Sequence, residues 1–268
     1  MLRTLLVCLL ALLLFPAGPA QAGSDGGFDH AYTGLDGVLR AHVDGEGMVN
    51  YAALKGSPEL AAFLKSVADV SAEEVGGWSR SSQIAFYTNA YNAITLQAIV
   101  DALPTASIRD ITPNAWDHER WTVAGRTVSL NWIEHTKLRK NLNEPRVHFT
   151  LVCAAKGCPK LKNRAYTAAN IGAEMEAAAK TFFSDRTKNR WDAEGKNVYL
   201  SKILDWYGDD FVGYKGLPEI AGIDGLSAKQ QAGIRLFAKY LSEADRAALG
   251  AGGLAVIYND YDWALNKQ

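Results

Sequence analysis

The chain has 268 residues, 48% of them hydrophobic and 21% charged, with a formal net charge of −1. These values lie near the average of soluble globular domains and exclude a disordered chain, a collagen-like repeat and a disulfide-dense mini-protein. The near-neutral balance also argues against a nucleic-acid partner, which needs a basic footprint. Three cysteines in so long a chain leave the fold to a hydrophobic core.

Arg3 precedes an apolar run from Leu5 to Phe15, and Ala20-Gln21-Ala22 places small residues where a signal peptidase cuts. The run is too short to span a bilayer, and no later stretch approaches the roughly 20 apolar residues required. Residues 1–22 are therefore expected to be a signal peptide. Residues 23–268 are expected to form one exported domain, periplasmic or secreted, with no transmembrane segment. Cys8 lies in the apolar run, so the mature part keeps Cys153 and Cys158 in a compartment that permits disulfides.

In chain order, helical periodicity appears at Tyr32 to His42, Pro58 to Ala68 and Ser82 to Ala102. Ser71 with Glu74 resembles a capping box ahead of a short helix. Arg120 to Val123 and Arg126 to Leu130 flank Ala124-Gly125 as a hairpin, and Asn131 is placed to cap a helix through Lys140. Val147 to Cys153 reads as the best strand of the chain. Thr167 to Phe183 is an alanine-rich helix, and a second hairpin turns at Glu194-Gly195 and ends in Val198 to Leu200. Ser201 can cap a helix through Phe211, and Ser227 another through Leu241. Leu254 to Tyr258, nearly all apolar, reads as a buried last strand. The pattern lacks the regular strand–helix period of a parallel doubly wound sheet. It predicts an α+β fold, with a central buried helix packed on a small, mainly antiparallel sheet.

Common nucleotide-loop, nucleophile-elbow, zinc-protease and dinucleotide motifs are absent from the sequence. The helix from Gln83 to Val100 is apolar around its whole circumference, so its Asn89, Asn92 and Gln97 need buried partners. Those amides either tie loops to the core or serve a site, by orienting a histidine or donating to an oxyanion.

The segment from Arg146 to Leu161 is the sharpest feature, because it holds both mature cysteines, a glycine and a proline. Cys158 precedes Pro159, and Lys156 and Lys160 lie close enough in sequence to lower a thiol pKa. Three readings stand side by side. One is a structural Cys153–Cys158 disulfide, the second a thiol nucleophile paired with histidine, and the third a metal site of His148, Cys153 and Cys158. The four-residue gaps fit no standard zinc framework, and no metal or cofactor is expected. On an extended strand His148 and Cys153 would face opposite sides about 17 Å apart. His135, beside Glu134, is then the freer partner.

These motifs resemble the DUF547 family, a domain of unknown function. The resemblance rests on Ala85 through Ala93, Ile133-Glu134-His135, His148 through Cys153 with Cys158-Pro159, and Lys202 through Tyr207 with Asp210-Phe211. It extends from about Tyr51 to Phe211. Thr88 departs mildly from the family pattern, and the closing Asp260 to Asn266 stretch resembles bacterial members. The resemblance implies that the first cysteine is more widespread than the second, and it implies little about activity. A papain-like or transglutaminase-like analogy would require a permuted order, with Asn and His ahead of Cys, so none is asserted.

Two functions follow as expectations. The first is an exported thiol-dependent hydrolase or acyl-transfer enzyme acting on an amide or thioester of a small molecule or peptide. In it Cys153 is the nucleophile, His135 the base and Glu134 its orienter; Asn89 and Asn92 give polar stabilisation, and His148, Cys158 and Lys156 bind. The second is a non-catalytic binding or assembly domain of the cell envelope with a structural disulfide, in which Trp116, Trp121 and Trp191 could line a surface.

Overall fold

The computed structural model describes residues 27–268, so the expected signal peptide lies outside the described residues. Five helices come first among the described residues: α1 Thr33–His42, α2 Tyr51–Leu54, α3 Pro58–Asp69, α4 Ala72–Gly77 and α5 Arg80–Asp101. Ser57, Ser71 and Ser79 each cap the helix that follows by accepting a backbone N–H, which satisfies one of the donors a helix start leaves free. A two-stranded antiparallel hairpin follows, β1 Trp121–Val123 and β2 Arg126–Val128. Its turn residues Ala124 and Gly125 both take positive φ, the geometry that matches the twist of a tight hairpin.

A π-helix, Trp132–Asn141, and a 3-10 turn, Pro145–Phe149, lead to the cysteine loop. The second half holds α6 Ile171–Ser184, β3 Arg190–Asp192, β4 Asn197–Leu200, α7 Lys202–Tyr207, α8 Ala228–Ala238, α9 Glu243–Leu249 and β5 Ala255–Tyr258. Strands β3 and β4 pair antiparallel, and β5 joins the far side of β4 in parallel. Helices joined by short hairpins make the α+β class that the periodicity predicts.

Helix α5 is buried over most of its 22 residues, as its apolar circumference requires, and it packs chiefly on α2, α3, α6 and the π-helix. One apolar cluster gathers around it. A second collects Phe182, Phe183, Leu204, Phe211, Phe237 and their neighbours in the C-terminal half. Val147, Leu151 and Val152 belong to the first cluster and Phe149 to the second, so this short segment stitches the two together.

That segment is not a strand. Pro145 at the first turn position and the Glu144 side chain, which accepts the Arg146 N–H, start a 3-10 turn instead. Downstream, the backbone of Thr150 and Val152 is taken up by Asn92. Its Nδ2 donates to the Thr150 carbonyl at 2.9 Å and its Oδ1 accepts the Val152 N–H at 3.0 Å. Asn89 grips Tyr166 in the same two-ended way, at 2.7 and 3.0 Å. The amides of α5 thus replace the neighbouring strand that a sheet would supply.

Three smaller expectations also change. Strand β5 sits at a sheet edge and is half exposed, with Ile257 at 38%, because no layer covers its outer face. Asn131 does not cap the following helix; its Nδ2 donates to Asp117 instead. Gln97 is only partly buried and bonds Asp101 one turn along.

Replacing Asn92 by leucine leaves a carbonyl and an N–H of a buried segment unpaired, at about 1–3 kcal/mol each. The urea midpoint of Asn92→Leu is therefore expected to fall clearly below that of the parent. An unchanged midpoint would show that the clamp does not hold this segment.

Candidate functional site

A cavity of about 350 Å³ opens where the two apolar clusters meet. Glu134, His135, His148, Cys153 and Cys158 line it together with Tyr91, Tyr207 and Tyr261, and Trp116, Trp206 and Trp263 complete an aromatic wall. Five of the eight residues singled out by sequence therefore converge. Asn89 and Asn92 do not line the cavity; they hold backbone behind it. Lys156 opens onto a neighbouring cavity, which shares only Cys158 with the main one. Of the tryptophans, Trp116 lines the site, Trp121 lies beneath Arg120, and Trp191 is on β3.

The 3-10 turn removes the alternation that separated His148 from Cys153, and both now face the cavity. His148 is buried and stacks on the Tyr207 ring, 4.1 Å between centroids and 16° from parallel. Its Nε2 lies 2.8 Å from Asp210 Oδ2, which places the proton of a neutral ring on Nε2 and leaves Nδ1 as the acceptor. Glu134 Oε1 lies 3.8 Å from that Nδ1.

His135 has a different neighbour. The π-helix adds about a residue per turn over an α-helix, so positions four apart nearly align, and Arg139 Nη1 donates to His135 Nδ1 at 2.6 Å. Glu134 stands 4.0 Å away, outside hydrogen-bond reach. Burial lowers the His135 pKa, and the Arg139 charge adds to this against the pull of Glu134. His135 is accordingly a neutral ring whose free Nε2 carries the proton.

Asp210 joins the two histidine systems. Besides His148 it accepts both Nε and Nη2 of Arg139, at 2.6 and 2.8 Å. Burial opposes its charge, but hydrogen bonds from His148 and Arg139 outweigh that and hold its carboxyl far below the usual carboxylate range.

The cysteine loop is shaped by the C-terminal tail. Lys156 and Gly157 donate backbone N–H groups to Ala264 and Asp262, and Asn266 donates to Ala154, all within 2.8–3.0 Å. A Cβ at Gly157 would stand 3.0 Å from the Tyr261 ring, tighter than an ordinary van der Waals contact, so the ring would have to give by a few tenths of an ångström to lie over the loop. Both thiols are free. Cys158 Sγ accepts the Cys153 N–H at 3.1 Å and the Tyr261 hydroxyl at 3.0 Å, and the same hydroxyl lies 3.5 Å from Cys153 Sγ.

Burial raises the cost of charge on Cys158, but hydrogen bonds from the Cys153 thiol and Tyr261 prevail and lower its pKa. The pair thus favours a charge on Cys158 and a proton on Cys153. Among the described residues neither thiol hydrogen-bonds an imidazole, and no group of three or more His, Cys, Asp or Glu is placed to hold a metal ion.

Asp210, Tyr207 and Tyr261 were not singled out as site residues. Each stands in a stretch that carries the resemblance, the Lys202–Phe211 motif or the closing Asp260–Asn266 run, and that was the available signal.

Asp210 also sets an acid limb of stability. Its native pKa lies below the unfolded value of about 3.9, so its contribution is complete above about pH 4 and is lost as pH falls through the native pKa. Asp210→Asn is expected to lower the urea midpoint at pH 6 and to flatten its decline between pH 4 and 2. An equally steep decline would remove this carboxylate from the explanation.

No curated protein and no solved structure matches the chain. A family model does, over residues 75–183, which include α5, the Glu134-His135 pair and the whole cysteine loop. Over that stretch the chain is similar to the family described as protein of unknown function, DUF547, and the resemblance carried by those motifs is shown there.

Proposed function

We propose that the chain is an exported thiol-dependent hydrolase or acyl-transfer enzyme acting on an amide or thioester. The observation that carries this reading is the convergence of two free thiols and an Asp–His couple on one aromatic cavity. Cys153 is the nucleophile because it is the more exposed of the two cysteines. Its proton passes to a histidine base, which leaves the charge on the sulfur that meets the substrate.

The base in this proposal is His148 rather than His135. Arg139 occupies the Nδ1 of His135, whereas His148 keeps Nδ1 free and is held by Asp210. Once protonated, the His148 ring lies between Asp210 at 2.8 Å and Glu134 at 3.8 Å, and both carboxylates stabilise the imidazolium. That imidazolium then protonates the departing amine or thiol as the tetrahedral intermediate collapses to a Cys153 thioester. Water or an acceptor nucleophile releases the acyl group. The His135 Nε2–H is a donor at the cavity, suited to a carbonyl oxygen of the substrate.

Short acyl p-nitroanilides and acyl thioesters are the probes, assayed with the reduced full chain. Cys153→Ala is expected to abolish turnover, and His148→Gln to lower kcat/KM by roughly 10²–10⁴-fold. His135→Gln is expected to cost less. Iodoacetamide should label Cys153 in the native protein and block turnover in proportion. Full activity in Cys153→Ala would overturn the reading.

The aromatic mouth favours one second reading. Trp206 is 41% exposed and stands beside Trp263 and Tyr261, a surface suited to binding alone. In that reading the chain is a cell-envelope binding or assembly domain with the sulfurs joined as a structural disulfide. A wild-type protein that shows no titratable thiol before reduction, and no turnover across the probes before or after it, would favour it.

A further inference from the structure

Acyl transfer needs one sulfur, and this cavity holds two. Cys158 is only 4% exposed, while Cys153 is half-buried and opens onto the cavity. One hydroxyl, that of Tyr261, touches both sulfurs. The loop between them is short and already closed. Ala154 turns the chain with a φ of 61°, and Cys158 donates its N–H to the Ala155 carbonyl at 3.0 Å. The C-terminal tail pins the loop through Ala154, Lys156 and Gly157. A thiol open to a cavity beside a second thiol that cannot itself meet a bulky reactant is the arrangement of an oxidisable and a resolving cysteine.

We propose that Cys153 and Cys158 form a reversible dithiol–disulfide centre that hydroperoxides oxidise, with Cys153 as the sulfur oxidised and Cys158 as the resolving thiol. The proton of Cys153 passes to Cys158, and the Cys153 thiolate attacks the terminal oxygen of the hydroperoxide. The O–O bond breaks, Cys153 becomes a sulfenic acid, and the alkoxide leaves as alcohol with the proton held on Cys158. The Cys158 thiolate then attacks the Cys153 sulfur and displaces hydroxide, which takes a proton from solvent to leave as water. One hydroperoxide is reduced to one alcohol and one water, and two thiols become one disulfide. Tyr261 stays on the sulfurs throughout as the hydroxyl that stabilises whichever is charged. In the oxidised form Cys153 is no longer a nucleophile, so any acyl chemistry of this cavity stops until a thiol reductant restores it.

Thiol titration and mass do not depend on acyl turnover, so this proposal and the hydrolytic one fail separately. The reduced full chain is treated with an equimolar amount of hydrogen peroxide, and thiols and intact mass are followed together. The expected result is simultaneous loss of both titratable thiols with a mass decrease of about 2 Da, reversed by dithiothreitol. Cys158→Ser, which lacks the thiolate that takes the Cys153 proton, is expected to oxidise more slowly and to stop at the first stage, with a gain of about 16 Da on Cys153 that dimedone traps. Stepwise oxygen addition to one cysteine of the wild type, without the mass decrease, would overturn the centre. A disulfide that dithiothreitol leaves closed in the folded protein would overturn its reversibility, and with it the proposal.

Discussion

A backbone segment that enters the middle of a protein without a partner strand must find other groups for its amides and carbonyls. Residues 150–152 find them in one side chain, the two-ended amide of Asn92. Because Asn92 projects from a helix buried on nearly every side, it cannot move without moving the core. The position of Val152, and so of Cys153 next to it, is fixed from behind. From the front the same loop is fixed by the C-terminal tail, whose backbone pairs with Ala154, Lys156 and Gly157. The thiols are therefore held between α5 in the first half of the chain and the C-terminal tail.

Charge at the cavity is organised around a second shared group. Asp210 binds Arg139 with both oxygens and His148 with one, so a single carboxylate sets the tautomer of one histidine directly and aims a guanidinium at the other. The two imidazoles end up chemically distinct. His148, whose ring has Asp210 at Nε2 and Glu134 on the side of Nδ1, presents an acceptor nitrogen, and His135 presents a donor. Two rings in one cavity with opposite polarity are more useful for moving a proton across a reacting carbonyl than two equivalent ones.

Local patterning made most of the elements legible. Ser71, Ser201 and Ser227 cap the helices they precede, and Ala124-Gly125 makes the expected turn. These features depend on neighbours a few residues away, which the sequence displays directly. The error over Val147 to Cys153 has a clear origin. An apolar, β-branched run satisfies the strand pattern, but the pattern does not say whether another strand is at hand to accept its hydrogen bonds. Here an asparagine 58 residues upstream reaches the Thr150 carbonyl first. The same error misplaced His148, since the expected separation from Cys153 held only for an extended chain.

What the sequence determined by itself was the α+β class, the all-round burial of α5, the cysteine loop as the centre of interest and Glu134, His135 and His148 as its candidates. Tertiary structure alone decided how those groups pair. The Asp210 bonds to Arg139 and His148 span 71 and 62 residues, and Tyr261 reaches Cys153 across 108. Which nitrogen a histidine offers, and which sulfur carries charge, depend on donors and acceptors within about 3–4 Å in space. Periodicity records which side of an element faces inward, and it holds no information about what stands opposite.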